Sequence, residues 1–181
     1  MDDARLVKVS KYLSKHLRHQ PQRLGLTLQP GGWVPVEDLL AACARMHFPI
    51  SRAELEEVIA RNNKQRFALD ATGTLIRANQ GHSVPVDLQL AQVAPPPMLY
   101  HGTAAHLVET IQREGLRKMA RHHVHLSPDP ETARIVGARH GSPVVFAVDA
   151  ATMQQAGTPF YCSANGVWLV DAVPPAYLRL L

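Results

Sequence analysis

Cysteine is scarce in this chain: Cys43 and Cys162 are the only two among 181 residues. Two thiols make neither a disulfide framework nor a four-cysteine zinc site, and the expected address is a reducing one, the cytoplasm. Long apolar runs are missing as well. No stretch approaches the ~20 uninterrupted apolar residues of a membrane span, so no membrane partner is expected. The opening residues, Met1 to Gln20, alternate charged with apolar positions, which is not the plan of a secretory signal peptide. Internal repeats and low-complexity tracts are absent too. Neither sign of charge dominates: 19 Lys and Arg against 15 Asp and Glu leave +4, which favours anionic partners without naming one. At 46% apolar and 19% charged residues the chain is too apolar for disorder, and its length suits one domain or two small ones.

What the chain does have is histidine, ten in all. His16, His19 and His47 lie early, while His101, His106, His122, His123, His125 and His140 crowd the second half. That density invites catalysis, metal binding or phosphate contact.

Leu6, Val9, Leu13 and Leu17 recur at three-to-four spacing and predict a helix over 5–18. Lys8, Lys11, Lys15 and Arg18 form a second stripe on another face, for which a solvated surface is the plainer account. Gln20-Pro21 stops this helix, leaving Arg18 and His19 at its C-terminal end, where the helix dipole stabilises cations. Gly31-Gly32 turns the chain into a short extended piece at 33–36, and a second helix follows over 36–45. Ser51 with Glu54 forms a capping box that opens a third helix to about Arg61. Two short strands, 66–69 and 74–77, are joined through Asp70-Ala71-Thr72-Gly73. Three helices and a hairpin are the pattern of a winged-helix module, although other small α+β domains share it.

Pro85 and the run Pro95-Pro96-Pro97 mark a stiff spacer. Beyond it short strands are expected at 98–101, 123–127, 144–149, 160–163 and 167–170, with helices at 104–114 and 130–139. Tyr100-His101-Gly102-Thr103 should then close a strand and open a helix, with the glycine letting a ligand near free N–H groups. On a strand, Arg121, His123 and His125 share one face. An arginine beside the His-x-His pair repels a cation and no further ligands stand at suitable spacing, so no metal is expected; arginine with imidazole suits a phosphoryl group. Histidines hydrogen-bonded at a strand edge are the structural alternative.

Several short blocks follow one another in fixed order. Lys11-x-Leu13-Ser14-x-x-Leu17-Arg18-His19 comes first, then Gly32-Trp33-Val34-Pro35-Val36, Asn63-Lys64-Gln65-Arg66-Phe67 and Ile76-Arg77-Ala78-Asn79-Gln80-Gly81-His82-Ser83. The second half adds Tyr100-His101-Gly102-Thr103, Met119 through Ser127, Gly137-Ala138-Arg139-His140-Gly141 and Ser163 through Leu169. Together they resemble the RNA 2′-phosphotransferase family over nearly the whole chain. The resemblance implies an α+β, two-lobed fold: a winged-helix RNA-binding lobe over 1–84, a Pro-rich linker over 85–97 and an ADP-ribosyltransferase-like lobe over 98–181. It implies removal of an internal RNA 2′-phosphate, with NAD⁺ consumed as co-substrate and RNA, tRNA-like, as partner. The family's phosphate-handling set falls on Arg18, His19, Arg66 and Arg121. Its NAD⁺-binding motif begins at His101, Gly102 and Thr103; His125 and Ser127 line the nicotinamide side, and Arg139 stands with His140 in the Arg-His-Gly block. Lys8, Lys11, Lys15, Lys64 and Arg77 are the expected RNA contacts.

The chemistry agrees with that assignment. A 2′-phosphate is mostly dianionic at neutral pH, since its second pKa is about 6, and so needs no general base. Many protein-modifying ADP-ribosyltransferases carry a glutamate on a late strand, whereas Ser163 to Leu169 holds no Glu or Asp. Two other readings compete, the first of them served by the same residues. One is an ADP-ribosyltransferase that caps terminal phosphates of nucleic acids. The other is an NAD-sensing winged-helix DNA-binding regulator with 51–61 as recognition helix. Glu54, Glu56 and Glu57 on that helix are poor company for DNA phosphates.

Overall fold

Asp2 caps the first helix, its side chain accepting from the Arg5 N–H at 2.7 Å, so α1 begins two residues earlier than the apolar spacing indicates and runs Asp3–Arg18. Val9, Leu13 and Leu17 on its inner face are fully buried. Two single 3-10 turns follow, then β1 (Val34–Pro35) and α2 (Val36–Arg45). The third helix, α3 (Arg52–Arg61), carries both halves of the capping box between Ser51 and Glu54. Strands β2 (Phe67–Leu69) and β3 (Leu75–Ala78) join through a turn organised by Asp70, whose Oδ1 accepts from the N–H groups of Thr74 and Leu75. These strands make one antiparallel sheet in the order β1-β3-β2. The inner face of α1 packs with Leu39, Leu55, Val58, Phe67 and Ile76 in one core.

The second half begins with β4 (Met98–Ala104), a 3-10 turn and α4 (Val108–Glu114), followed by β5 (Leu116–Arg117), β6 (Val124–Leu126) and α5 (Pro130–Gly137). Then come β7 (Pro143–Asp149), α6 (Ala150–Gln155), β8 (Tyr161–Cys162), β9 (Trp168–Val170), β10 (Ala172–Val173) and β11 (Leu178–Leu180). The strands pair antiparallel in the orders β11-β7-β4, β6-β9-β8 and β10-β5. A second core holds Leu99, Val124, Leu126, Phe146, Val148 and Phe160. The computed structural model describes residues 1–181, an α+β chain in two compact units, Met1–Gln89 and Leu90–Leu181. No helix is long and apolar enough to cross a membrane.

Two expectations about the second unit change. The ladder with β7 continues through His101↔Phe146, Gly102↔Val145 and Thr103↔Val144, so the His-Gly-Thr block lies inside a strand. The 3-10 turn Ala105–Leu107 separates it from α4, and no helix N-terminus opens at the block. Gly102 also has another use. A Cβ there would stand 1.5 Å from the Ala133 carbonyl oxygen, because α5 crosses β4 with Gly137 close to Thr103. Glycine is required for that crossing, and helix rather than ligand fills the space. Likewise β6 begins only at Val124, which leaves Arg121 and His123 in the preceding turn.

The proline-rich stretch is not a bare tether. Its early part belongs with the first unit, where Gly31 N–H donates to the Asp87 carbonyl at 2.7 Å and Leu88 is buried. Its later part belongs with the second, where Val93 N–H donates to the Phe160 carbonyl at 2.9 Å.

Candidate active site

Loop 79–83 links the C-terminal end of α1 to a third segment far away in sequence, Asn62–Arg66. Arg18 is the last helical residue and His19 the C-cap, held by its own N–H to the Lys15 carbonyl. The loop 79–83 crosses this end. Ser83 N–H donates to the Arg18 carbonyl at 2.9 Å, and Ser83 Oγ lies 2.8 Å from His19 Nδ1. Gly81, at φ +88°, lies against the Arg18 guanidinium: a Cβ there would come within 3.5 Å of Nε and Cζ. The third segment is Asn62–Arg66. Lys64 N–H donates to Asn62 Oδ1, and Gln65 takes a positive φ of 42°. Asn79 ties this loop down, its Nδ2 donating to the Gln65 carbonyl at 2.6 Å and its N–H to the Arg66 carbonyl at 2.9 Å. Arg18, His19 and Arg66 are thus hung on one frame. Arg66 is half-buried, and that burial lowers its pKa from the ordinary arginine value. An arginine so placed still stays charged at neutral pH, with its water partly removed, which strengthens its pull on an anion.

The lysines and Arg77 are placed differently. Lys8, Lys11 and Lys15 are exposed along α1, and none forms an ion pair. Lys64 is exposed on the loop before Arg66. The Arg77 guanidinium lies 4.6 Å from the Trp33 ring centroid, and its Nη1 donates to the Gly31 carbonyl. A groove of about 340 Å³ along Leu26, Pro35, Asp38 and Arg45 contains none of these residues.

In the second unit β4 and the end of β6 are tied by a reciprocal pair of bonds between Tyr100 and Ser127, 2.9 and 2.7 Å long. This brings His101 beside His125. His101 Nδ1 donates to the His125 carbonyl at 3.1 Å, which leaves Nε2 as the nitrogen with a lone pair. Desolvation is the largest influence on His101 and lowers its pKa; the carbonyl bond works against this, and electrostatic repulsion from Arg121 and His140 adds to it. Arg121 Nη1 donates to His125 Nδ1 at 3.0 Å, so the neutral His125 carries its proton on Nε2. The contact comes from a turn closed by Arg121 N–H to the Lys118 carbonyl, not from strand alternation. His123 instead stands with its ring 5.6 Å from that of Tyr161, its pKa lowered chiefly by desolvation. Thr103 is buried on β4, whereas Arg139 and His140 are exposed just after α5. No three His, Cys, Asp or Glu side chains gather as a metal site would require.

Sequence reasoning assigned no role to Asn79, Gly81 or Ser83. They stand in a recognisable block, but a block does not say what its residues touch.

The model of the family described as RNA 2′-phosphotransferase, Tpt1/KptA family, matches residues 4–172. Curated relatives match end to end. A protein of Trichormus variabilis is 65% identical over 181 residues, covering 100% of both chains. One of Nostoc punctiforme is 65% identical over 179 residues, and one of Herpetosiphon aurantiacus 63% over 180, each covering 99% of both chains. All three are described as probable RNA 2′-phosphotransferases.

Proposed function

The chain belongs to the RNA 2′-phosphotransferase family, and from that premise we propose that it removes an internal RNA 2′-phosphate by transferring it to NAD⁺. A phosphate oxygen attacks the anomeric carbon of the nicotinamide ribose; the new O–C bond replaces the C–N bond, and neutral nicotinamide leaves. The ribose 2″-hydroxyl of the resulting RNA 2′-phospho-ADP-ribose then attacks phosphorus. The P–O bond to the RNA breaks, giving a 2′-hydroxyl on the RNA and ADP-ribose 1″,2″-cyclic phosphate.

The observation that carries this reading is the frame at the end of α1, which supports Arg18, His19 and Arg66 from one loop. Arg18, Arg66 and Arg121 are suited to compensate charge on the phosphoryl oxygens, the preorganised electrostatics on which such transfers depend. His19 is assigned the proton delivered to the departing 2′-oxygen. In the second unit His101, kept neutral by desolvation, suits a co-substrate ring that is itself cationic, because an imidazolium there would repel it. His101, Thr103, His125, Ser127 and Arg139 are assigned to NAD⁺, together with Gly102 through its backbone alone, because α5 fills its side-chain face. The first unit, with three helices and an antiparallel sheet, is read as a winged-helix RNA-binding module and the second as an ADP-ribosyltransferase-like lobe. Lys8, Lys11, Lys15 and Lys64 are assigned to the RNA backbone. The regulator reading is disfavoured because both arginines of α3, Arg52 and Arg61, are held in ion pairs with its own glutamates.

The deciding experiment is a reaction of 2′-phosphorylated RNA oligonucleotide with and without NAD⁺, in EDTA, resolving the RNA species and cyclic phosphate. Dephosphorylated RNA formed only with NAD⁺ is the expected result. NAD-independent dephosphorylation, or modification confined to terminal phosphates, would refute it.

A further inference from the structure

His19 is exposed and stands at the helix C-cap with φ −125° and ψ −33°, outside the regular helical turn. A side chain there has rotamer freedom that a proton donor must lose, because transfer requires hydrogen-bond reach in a fixed direction. Ser83 supplies the constraint. Its backbone N–H is fixed on the Arg18 carbonyl at 2.9 Å, and its hydroxyl reaches His19 Nδ1 at 2.8 Å.

We infer that Ser83 is a positioning residue that sets the orientation of His19, its hydroxyl able to accept from or donate to Nδ1. The inference rests on the proposed reaction, in which His19 protonates the leaving 2′-oxygen. With the ring charged, Nδ1–H donates to Ser83 Oγ and Nε2–H is the proton to be delivered. After delivery the neutral ring keeps its proton on Nδ1, still bonded to the serine, and Nε2 is left with its lone pair. The RNA hydroxyl takes that proton, and the proton lost by the attacking 2″-hydroxyl passes to solvent water, from which His19 is recharged. A carboxylate could orient the ring as well, as it does in hydrolytic triads. Next to a dianionic phosphate, however, it would repel the substrate, and a hydroxyl does the same work without charge. From the same segment Asn79 ties down the loop of Arg66, and Gly81 lies against the Arg18 guanidinium.

The test compares Ser83→Ala and Ser83→Thr with wild type in single-turnover reactions on labelled 2′-phosphorylated RNA with NAD⁺. Ser83 is exposed, so thermal unfolding should be unchanged. The alanine variant should form the 2′-phospho-ADP-ribose adduct at the wild-type rate and resolve it roughly tenfold more slowly, less than the hundredfold or more that general acid–base catalysis itself contributes. Adduct should therefore accumulate transiently, and threonine, which keeps the hydroxyl, should restore turnover. An alanine variant matching active wild type at both steps overturns the inference alone. So does equal slowing of both steps without rescue by threonine. Wild type that leaves the RNA untouched with NAD⁺ overturns the functional reading and this inference with it.

Discussion

Arg18, His19, Arg66 and Arg121 are assigned a different duty from His101, which desolvation holds neutral. Under the proposed reaction the first step has a nucleophile that is already ionised, and positioning of NAD⁺ limits it. The second step accumulates charge at phosphorus and releases an alkoxide that must be protonated. Losing one preorganised donor at such a centre costs about 3–4 kcal/mol, or a hundredfold or more in rate. Arg18→Ala, His19→Ala, Arg66→Ala and Arg121→Ala should therefore accumulate RNA bearing the 2′-phospho-ADP-ribose adduct, whereas His101→Ala should leave the RNA largely unmodified. Gel separation of adduct from substrate reads the difference; adduct from the His101 variant with none from the other four would reverse the roles. Arg121 also donates to His125 Nδ1 and so sets the tautomer of that ring when it is neutral, a contact the sequence did not foretell. The turn that makes this contact possible, Lys118 to Arg121, has no periodicity from which to be read.

Helix α1 and strand β4 each serve packing and, under the proposed reaction, binding as well. Along α1 the inner face is core while Lys8, Lys11 and Lys15, at i, i+3 and i+7, cover about 10 Å of its length with no carboxylate partner. If they meet RNA phosphates, each displaces counterions. Replacing all three by alanine should then lower the slope of log K against log salt by roughly 2, at about 0.7 per contact for a single strand. Fluorescence anisotropy at several salt concentrations measures that slope, and an unchanged value would make the stripe mere solvated surface. On β4 the constraint is steric. Gly102→Ala would put a methyl group against the backbone of α5, at Ala133, where no side chain can swing away. The cost should reach or pass the ~3 kcal/mol upper range of core overpacking, seen as a drop of several degrees in the unfolding midpoint. If Gly102→Ala unfolds like wild type while losing activity, ligand contact rather than helix packing requires the glycine.

For the molecule as a whole, two desolvated histidines couple stability to pH. His101 and His123 both have folded-state pKa values below the ordinary histidine value. An unfolded chain takes up protons at about pH 6.5, which the folded state refuses until the pH is lower still. Stability is therefore full above about pH 6.5 and is lost as the pH falls toward the folded-state values. Thermal unfolding between pH 7.5 and 5.5 should show a falling midpoint, with a smaller drop for His101→Gln, which removes one such group. An equally steep drop in that variant would place the proton uptake elsewhere. Much of the architecture was legible along the chain, because helix α2, the capping box of α3 and the Asp70 turn depend on residues within a few positions of one another. The ordered blocks carried the family in the same way, since a motif is a local record. What no local pattern determined was convergence. That Asn79 holds the loop of Arg66 and Ser83 holds His19 are contacts spanning up to 64 positions, made only when the first core closes. The placing of His-Gly-Thr was likewise settled by β7 and α5, because a strand ends where its partner ends, and the partner lies some forty residues further along.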